Sequence, residues 1–181
     1  MSLTILFILL SLSIFAAYNI FILIVVGVPE NISMSYYDLN RKHAGLGMFF
    51  PLMILMLCLT IRPAWESINS MIHHDASFYC YLIDITLSAL FVVAVISNYK
   101  KSKILFAIHY TAAIVAVISS LLWIILADYK LMYIPVTVVC LALWAAWLSR
   151  TLRHQFLFWL EISNIYSIQI VLFTLSIMSE R

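Results

Sequence analysis

The chain has 181 residues, 65% hydrophobic and 10% charged, with a formal net charge of +2. A soluble domain carries about 25% charged residues, and one of this length has too little interior to hide so much apolar surface, so a soluble fold is excluded. A charge of +2, with the basic residues at the ends of apolar runs rather than in a patch, leaves no footprint for nucleic acid. The composition predicts an all-α fold: a polytopic transmembrane helix bundle of six spanning helices, forming a single transmembrane domain over residues 1–181.

The first predicted helix covers about 3–28, roughly 39 Å at 1.5 Å per residue, enough to cross a bilayer with some tilt. It reads as a retained span rather than a cleaved signal. No Lys or Arg precedes it, the run is longer than a signal core, and Ile14 and Phe15 are poor choices before a cut after Ala16 or Ala17. Pro29 ends it. The first loop, PENISMSYYDLNRKHA, carries Tyr36 and Tyr37, which suit an interfacial belt, and an Asn31-Ile32-Ser33 glycosylation sequon.

The second predicted helix covers 45–61, with Pro51 expected to kink it and Arg62-Pro63 to stop it. The second loop then holds Glu66, His73, His74 and Asp75. A short interfacial helix is expected from Trp65 to Ile72, because Trp65, Ile68 and Ile72 share a face. The third helix covers 78–97, with Tyr81, Asp84 and Ser88 on one face, and is followed by the basic loop NYKKSK.

The fourth helix, 104–127, is the stretch around which the rest is organised. His109, Ala112, Ala113, Ala116, Ser119, Ser120 and Trp123 recur at spacings of three and four and form a small, polar face. Small residues let membrane helices approach closely, and an ionisable residue on such a face is a functional candidate. The fifth helix covers 131–149, with Pro135 in its first turn, and the next loop holds Arg150, Arg153 and His154. The sixth covers 156–178 and carries Glu161, Ser163, Asn164, Ser167 and Gln169. Short spacers make consecutive helices antiparallel neighbours in one bundle.

Loops one, three and five hold Arg41, Lys42, Lys100, Lys101, Lys103, Arg150 and Arg153, against Arg62, Lys130 and Arg181 on the other side. This bias predicts that loops one, three and five face the cytoplasm, in a bacterial inner membrane or a plasma membrane.

Helix rise places His109 and Glu161 each about 8 Å below the basic interface, with Asn164 one turn deeper and Asn19 at similar depth. The first loop, with Ser33, Ser35, Tyr36 and Tyr37, caps the same side. Asp84 enters from the opposite side. Several readings stay open. His109 and Glu161 can be structural, pairing with each other or with the backbone, since a buried carboxylate needs a partner. They can instead be the walls of a polar cavity that binds a lipid headgroup or small solute together with Asn164, Asn19, Ser33 and Tyr36. Asp84, His109 and Glu161 can form a proton or ion path, as in a small transporter or oligomeric pore. Glu161 and His109 can also act as acid and base in a lipid-modifying enzyme. Membrane lipid is the expected partner, with a protein partner or a homo-oligomer as further possibilities. No cofactor is implied. Adjacent His73 and His74 do not share a helix face and no HxxxH occurs, so no metal site is assigned. With only His109 inside a span, a paired-histidine haem site is rejected. The cysteines Cys58, Cys80 and Cys140 form no CxxC and fit apolar packing.

Residues Pro29 to Tyr37 and the pair His109-Tyr110 resemble an uncharacterised group of small bacterial multi-pass membrane proteins. More distantly, six helices, a Pro-x-x-Ile-Ser loop after the first and a His early in the fourth resemble the DRAM/Sfk-type six-helix family. The resemblance implies that Pro29, Ser33 and His109 are family positions and favours a role in lipid handling over transport. This chain lacks the glycine that usually follows the Ile-Ser pair, and that family places its first loop outside, opposite to the charge count.

Overall fold

The computed structural model describes residues 2–72, 77–148, 150 and 152–179. All regular structure among them is helical. Seven α-helices follow in order: α1 Leu3–Val25, α2 Ser35–Lys42, α3 Phe49–Ile72, α4 Ser77–Val95, α5 Lys103–Asp128, α6 Tyr133–Leu148 and α7 Leu152–Ser179. Short 3-10 turns at Ile32–Met34, Leu46–Met48, Tyr99–Lys101 and Tyr129–Met132 join them. Among the described residues, five stretches are long and apolar enough to cross a membrane, and the 46-residue stretch Lys103–Leu148 contains both α5 and α6. The protein is therefore an all-helical bundle of membrane-spanning type.

The first loop is partly helical. Its α2 has Asp38 in its first turn and Arg41 and Lys42 in its last, the charge order that a helix dipole favours. Leu39 is fully buried on its inner face. After α2 the chain turns tightly: the Asn40 side chain accepts from the backbone N–H groups of Gly45 and Gly47, both at 3.1 Å. A side chain at Gly47 would collide with the Asn40 amide and the Tyr36 carbonyl, so glycine is required there by close approach.

The largest departure from the sequence reading is α3. It does not stop at Arg62-Pro63 but continues to Ile72 with Pro63 inside it. Proline removes one backbone bond, a loss that a packed membrane helix tolerates. Here the packing is extensive, since Ile61, Ala64, Trp65 and Ile68 are all buried in the core. The expected interfacial helix at Trp65–Ile72 is therefore the last part of a spanning one. Pro51 lies in the first turn of α3, where its missing N–H would be unpaired anyway, so the expected kink has no cause there. His73, His74 and Asp75 lie outside the described residues.

Two apolar clusters stack along the bundle. At the end away from the first loop, Trp65 and Trp123 meet edge to face at 5.3 Å, surrounded by Ile8, Ile83, Val171 and Leu172. At the other end, Phe15, Ile22, Phe50, Leu57 and Phe158 surround Ile32 of the first loop. Hydrogen bonds between helices cross both levels. Thr86 meets Ser119 at 2.7 Å, Trp123 donates to Asn69 at 3.1 Å, and Gln169 donates to Ser11 at 3.2 Å. The small face of α5 is buried as its spacing predicts, with His109, Ala112, Ala116, Ser119, Ser120 and Trp123 all inside.

Consecutive helices pack as neighbours for α3 with α4, α4 with α5 and α6 with α7. The expectation fails at α5 and α6. These helices separate after the turn at Tyr129–Met132, and α6 rests on α7 instead. The reason is that Ile114, Ile118, Val136 and Leu141 stay exposed on the two helices, which carries no penalty where lipid tails are as apolar as leucine. If α3 is continuous through Pro63, Trp65→Ala should destabilise the bundle by about 3–5 kcal/mol, the cost of emptying a large core site. Denaturation in mixed detergent micelles measures it. A loss within about 0.5 kcal/mol, the range for surface positions, would return Trp65 to an interfacial role.

Candidate functional site

The first loop is inserted into the end of the bundle instead of lying across it. Asn31, Ile32, Ser33, Met34 and Ser35 are all buried. Buried backbone polar groups must find partners, and inside a membrane no water supplies them. Part of the solution is local. Asn31 has extended backbone, and its side-chain oxygen accepts from the Met34 N–H at 2.8 Å, capping the 3-10 turn. Ser35 donates to the Ile32 carbonyl, which leaves its oxygen to accept from the Tyr18 hydroxyl of α1 at 2.6 Å.

The rest comes from the spanning helices. A Glu161 side-chain oxygen accepts from the Ile32 N–H at 2.7 Å. His109 Nε2 lies 2.9 Å from the Ser33 hydroxyl. Its Nδ1 is buried and makes no hydrogen bond among the described residues. Asn31 also donates to the Tyr110 hydroxyl at 3.3 Å. In α7 the helix is interrupted at Gln155, with φ −128° and ψ 22°. Residues just after such a break have unpaired N–H groups. The N–H of Phe158 uses this freedom to donate to the Glu30 carbonyl at 3.1 Å, and the Gln155 amide donates to the Val28 carbonyl at 2.5 Å.

An aromatic wall closes one side. The Tyr99 ring stacks on His109 with centroids 4.2 Å apart and planes at 23°. Tyr37 accepts the Lys100 N–H at 2.7 Å and donates to Asn98 at 3.4 Å, fastening the first loop to the 96–102 connection. Burial raises both Tyr37 and Tyr99 above the usual phenol range, with neighbouring Tyr110 adding to it for Tyr99, so both hydroxyls stay neutral.

Beneath the inserted loop lies a cavity of about 60 Å³, lined by Ser33, Phe50, Val93, Ala116, Glu161 and Asn164 among others. Outside it, where α5 and α6 separate, runs a groove of about 640 Å³ floored by α7. Its walls are apolar, including Ile114, Ile118, Val136 and Leu157, and polar groups sit at Tyr110, Glu161, Asn164 and Ser167. Glu161, Asn164, Ala113 and Val117 border both spaces. Glu161 thus holds the loop and also borders the groove.

Of the residues singled out from the sequence, His109, Glu161 and Ser33 converge on the inserted loop, and Asn164 joins Glu161 at the cavity. His109 and Glu161 make no hydrogen bond to each other; each holds a separate residue of the loop. Asn19 lies apart, donating to Tyr166 at 3.4 Å. Tyr36 packs its ring on Tyr37 at 5.2 Å and borders neither space. Asp84 is not brought to the site. It is half-exposed on another face, 3.1 Å from Arg62, which also holds Glu66 at 2.7 Å. Asn31, Tyr18, Ser35, Tyr110 and Gln155 carry the loop as well and were not singled out for this role. The signal available for Asn31 was its capping position, which the sequon reading obscured; the side chain is buried and fully engaged. The side chain of His154 lies outside the described residues.

Comparison with protein-family models, with curated proteins and with solved structures gives no match. Function must therefore be read from the site itself.

Replacing Glu161 by Ala leaves the buried Ile32 N–H without its acceptor, which costs about 1–3 kcal/mol. Glu161→Gln retains an acceptor and should lose clearly less; unfolding of the two variants side by side checks this. Likewise His109→Ala and Ser33→Ala should be non-additive by about 0.5–3 kcal/mol in a double-mutant cycle, whereas residues that do not share a bond would add.

Proposed function

We propose that this is a six-span membrane protein that binds a membrane amphiphile in the groove between α5, α6 and α7, with Glu161 and Asn164 at its polar end. In this reading α5 and α6 cross separately. The sixteen residues of α6 give about 24 Å of helix, and the turn before it adds to that. The carrying observation is the shared wall. Glu161 borders both a small, mostly apolar cavity beneath the inserted loop and a long apolar groove, and an apolar trough with a few convergent polar groups is the usual form of a small-molecule site.

The basic residues support an orientation. The first loop, the 96–102 connection and the start of α7 lie at one end of the bundle, linked by Tyr37–Lys100 and Gln155–Val28. Arg41, Lys42, Lys100, Lys101, Lys103 and Arg150 gather there, and on the positive-inside rule that end is cytoplasmic. Pro29, Ser33 and His109, the positions that carry the resemblance to the DRAM/Sfk-type family, bound or hold the inserted loop, which fits a role in lipid handling better than conduction.

The test fills the groove. Val136 is 57% exposed and lines it, so Val136→Trp adds bulk from the open side without disturbing the core. Mass spectrometry of lipid retained by the purified protein should show a bound species on the wild type and at least a tenfold loss on Val136→Trp, at unchanged thermal stability. Equal retention by both proteins would sink the reading.

A further inference from the structure

At the surface-facing end of α5, beyond the groove, lies an open surface depression of about 570 Å³, lined by Lys100, Ser102, Lys103 and Phe106. Phe106 lines this depression and Tyr110 lines the groove, and their rings pack against each other at 4.4 Å. Lys103, Phe106, Tyr110, Val117 and Leu121 follow one another at spacings of three, four, seven and four along α5. They form a single stripe that begins with a cation and ends in hydrocarbon.

The two lysines are set for an anion. Lys100 is positioned twice by Tyr37: its backbone N–H is held by the hydroxyl, and its ammonium lies 5.1 Å from the ring centroid. Among the described residues, neither Lys100 nor Lys103 forms an ion pair; the salt bridges found are those of Arg62. The groove itself supplies acceptors and hydroxyls but no cation.

Resting on the groove reading above, we infer that the bound amphiphile is an anionic phospholipid, with its phosphate between Lys100, Lys103 and Ser102 and one acyl chain along α5 into the groove. The separation suits such a molecule. Seven residues from Lys103 to Tyr110 span about 10 Å of helix, which keeps the phosphate apart from the Glu161 carboxylate, and the eleven from Tyr110 to Leu121 leave about 16 Å for a chain. A zwitterionic headgroup would bring its own ammonium against the two lysines. Each lysine close to an anionic lipid surface contributes roughly fivefold in affinity, so the pair should give a preference of about 30-fold.

The experiment reconstitutes the full-length protein in vesicles of equal parts phosphatidylglycerol and phosphatidylcholine, re-extracts it, and quantifies the retained lipids by mass spectrometry. Wild type, the double variant Lys100→Gln/Lys103→Gln and Val136→Trp are compared, each checked for an unchanged melting temperature. Wild type should retain phosphatidylglycerol about 30-fold over phosphatidylcholine, weakening in high salt. The double-lysine variant should keep a bound lipid but lose the preference. If wild type holds both lipids equally, or the lysine variant keeps the full preference, the anionic assignment falls while the groove reading stands. If Val136→Trp retains lipid as wild type does, the groove reading fails and takes this inference with it.

Discussion

Inside a bilayer every backbone N–H and C=O must be satisfied by the protein, and the burial of residues 31–35 is the point at which this requirement shapes the whole molecule. A loop can enter the bundle only if side chains of the spanning helices replace the missing water. Glu161, His109, Tyr110, Tyr18 and Gln155 do so from three different helices. Their presence in otherwise apolar helices, where an ionisable or amide group is costly, is explained first by this structural demand. The interruption at Gln155 belongs to the same solution, since it releases the Phe158 N–H for the Glu30 carbonyl.

The groove follows from a second constraint. With α7 committed to the inserted loop and α5 committed through its small face to α4, no helix is left to cover the far sides of α5 and α6. In water this would be an unstable arrangement. In hydrocarbon such apolar faces need no covering helix, and here a carboxylate and an amide border the gap. Loop and groove are thus linked through one residue: Glu161 holds the Ile32 N–H and also borders the groove.

Much of this was legible in the sequence. The small face of α5 is buried as its three-four spacing predicts except at Ala113, which is half-buried, and helix rise brings His109, Glu161 and Asn164 to one end of the bundle, though Asn19, counted to the same depth, lies apart. The failures have physical causes. Proline was read as a stop at Pro63 because its cost is local and visible, whereas the burial of Trp65 and Ile68 that outweighs it is tertiary. The first loop is expected to cap one end of the bundle, but its insertion is not visible from spacing, because the partners of Asn31 and Ser33 lie 79 and 76 residues away. Asp84, expected to enter from the opposite side, lies apart from the site, half-exposed beside Arg62.

The sequence separations within the site also set an order of assembly. The bonds that seat the first loop reach from residues 28 and 32 to residues 155 and 161, gaps of 127 and 129 positions. During synthesis the first two long helices, α1 and α3, are therefore made and inserted while the segment between them still lacks most of its partners. The Ile32 N–H and the Val28 carbonyl gain their partners on α7 only after Glu161 and Gln155 have been made. A nascent chain stalled before α7 would hold the loop by its bonds to α1 and α5 but leave these two backbone groups without their protein partners.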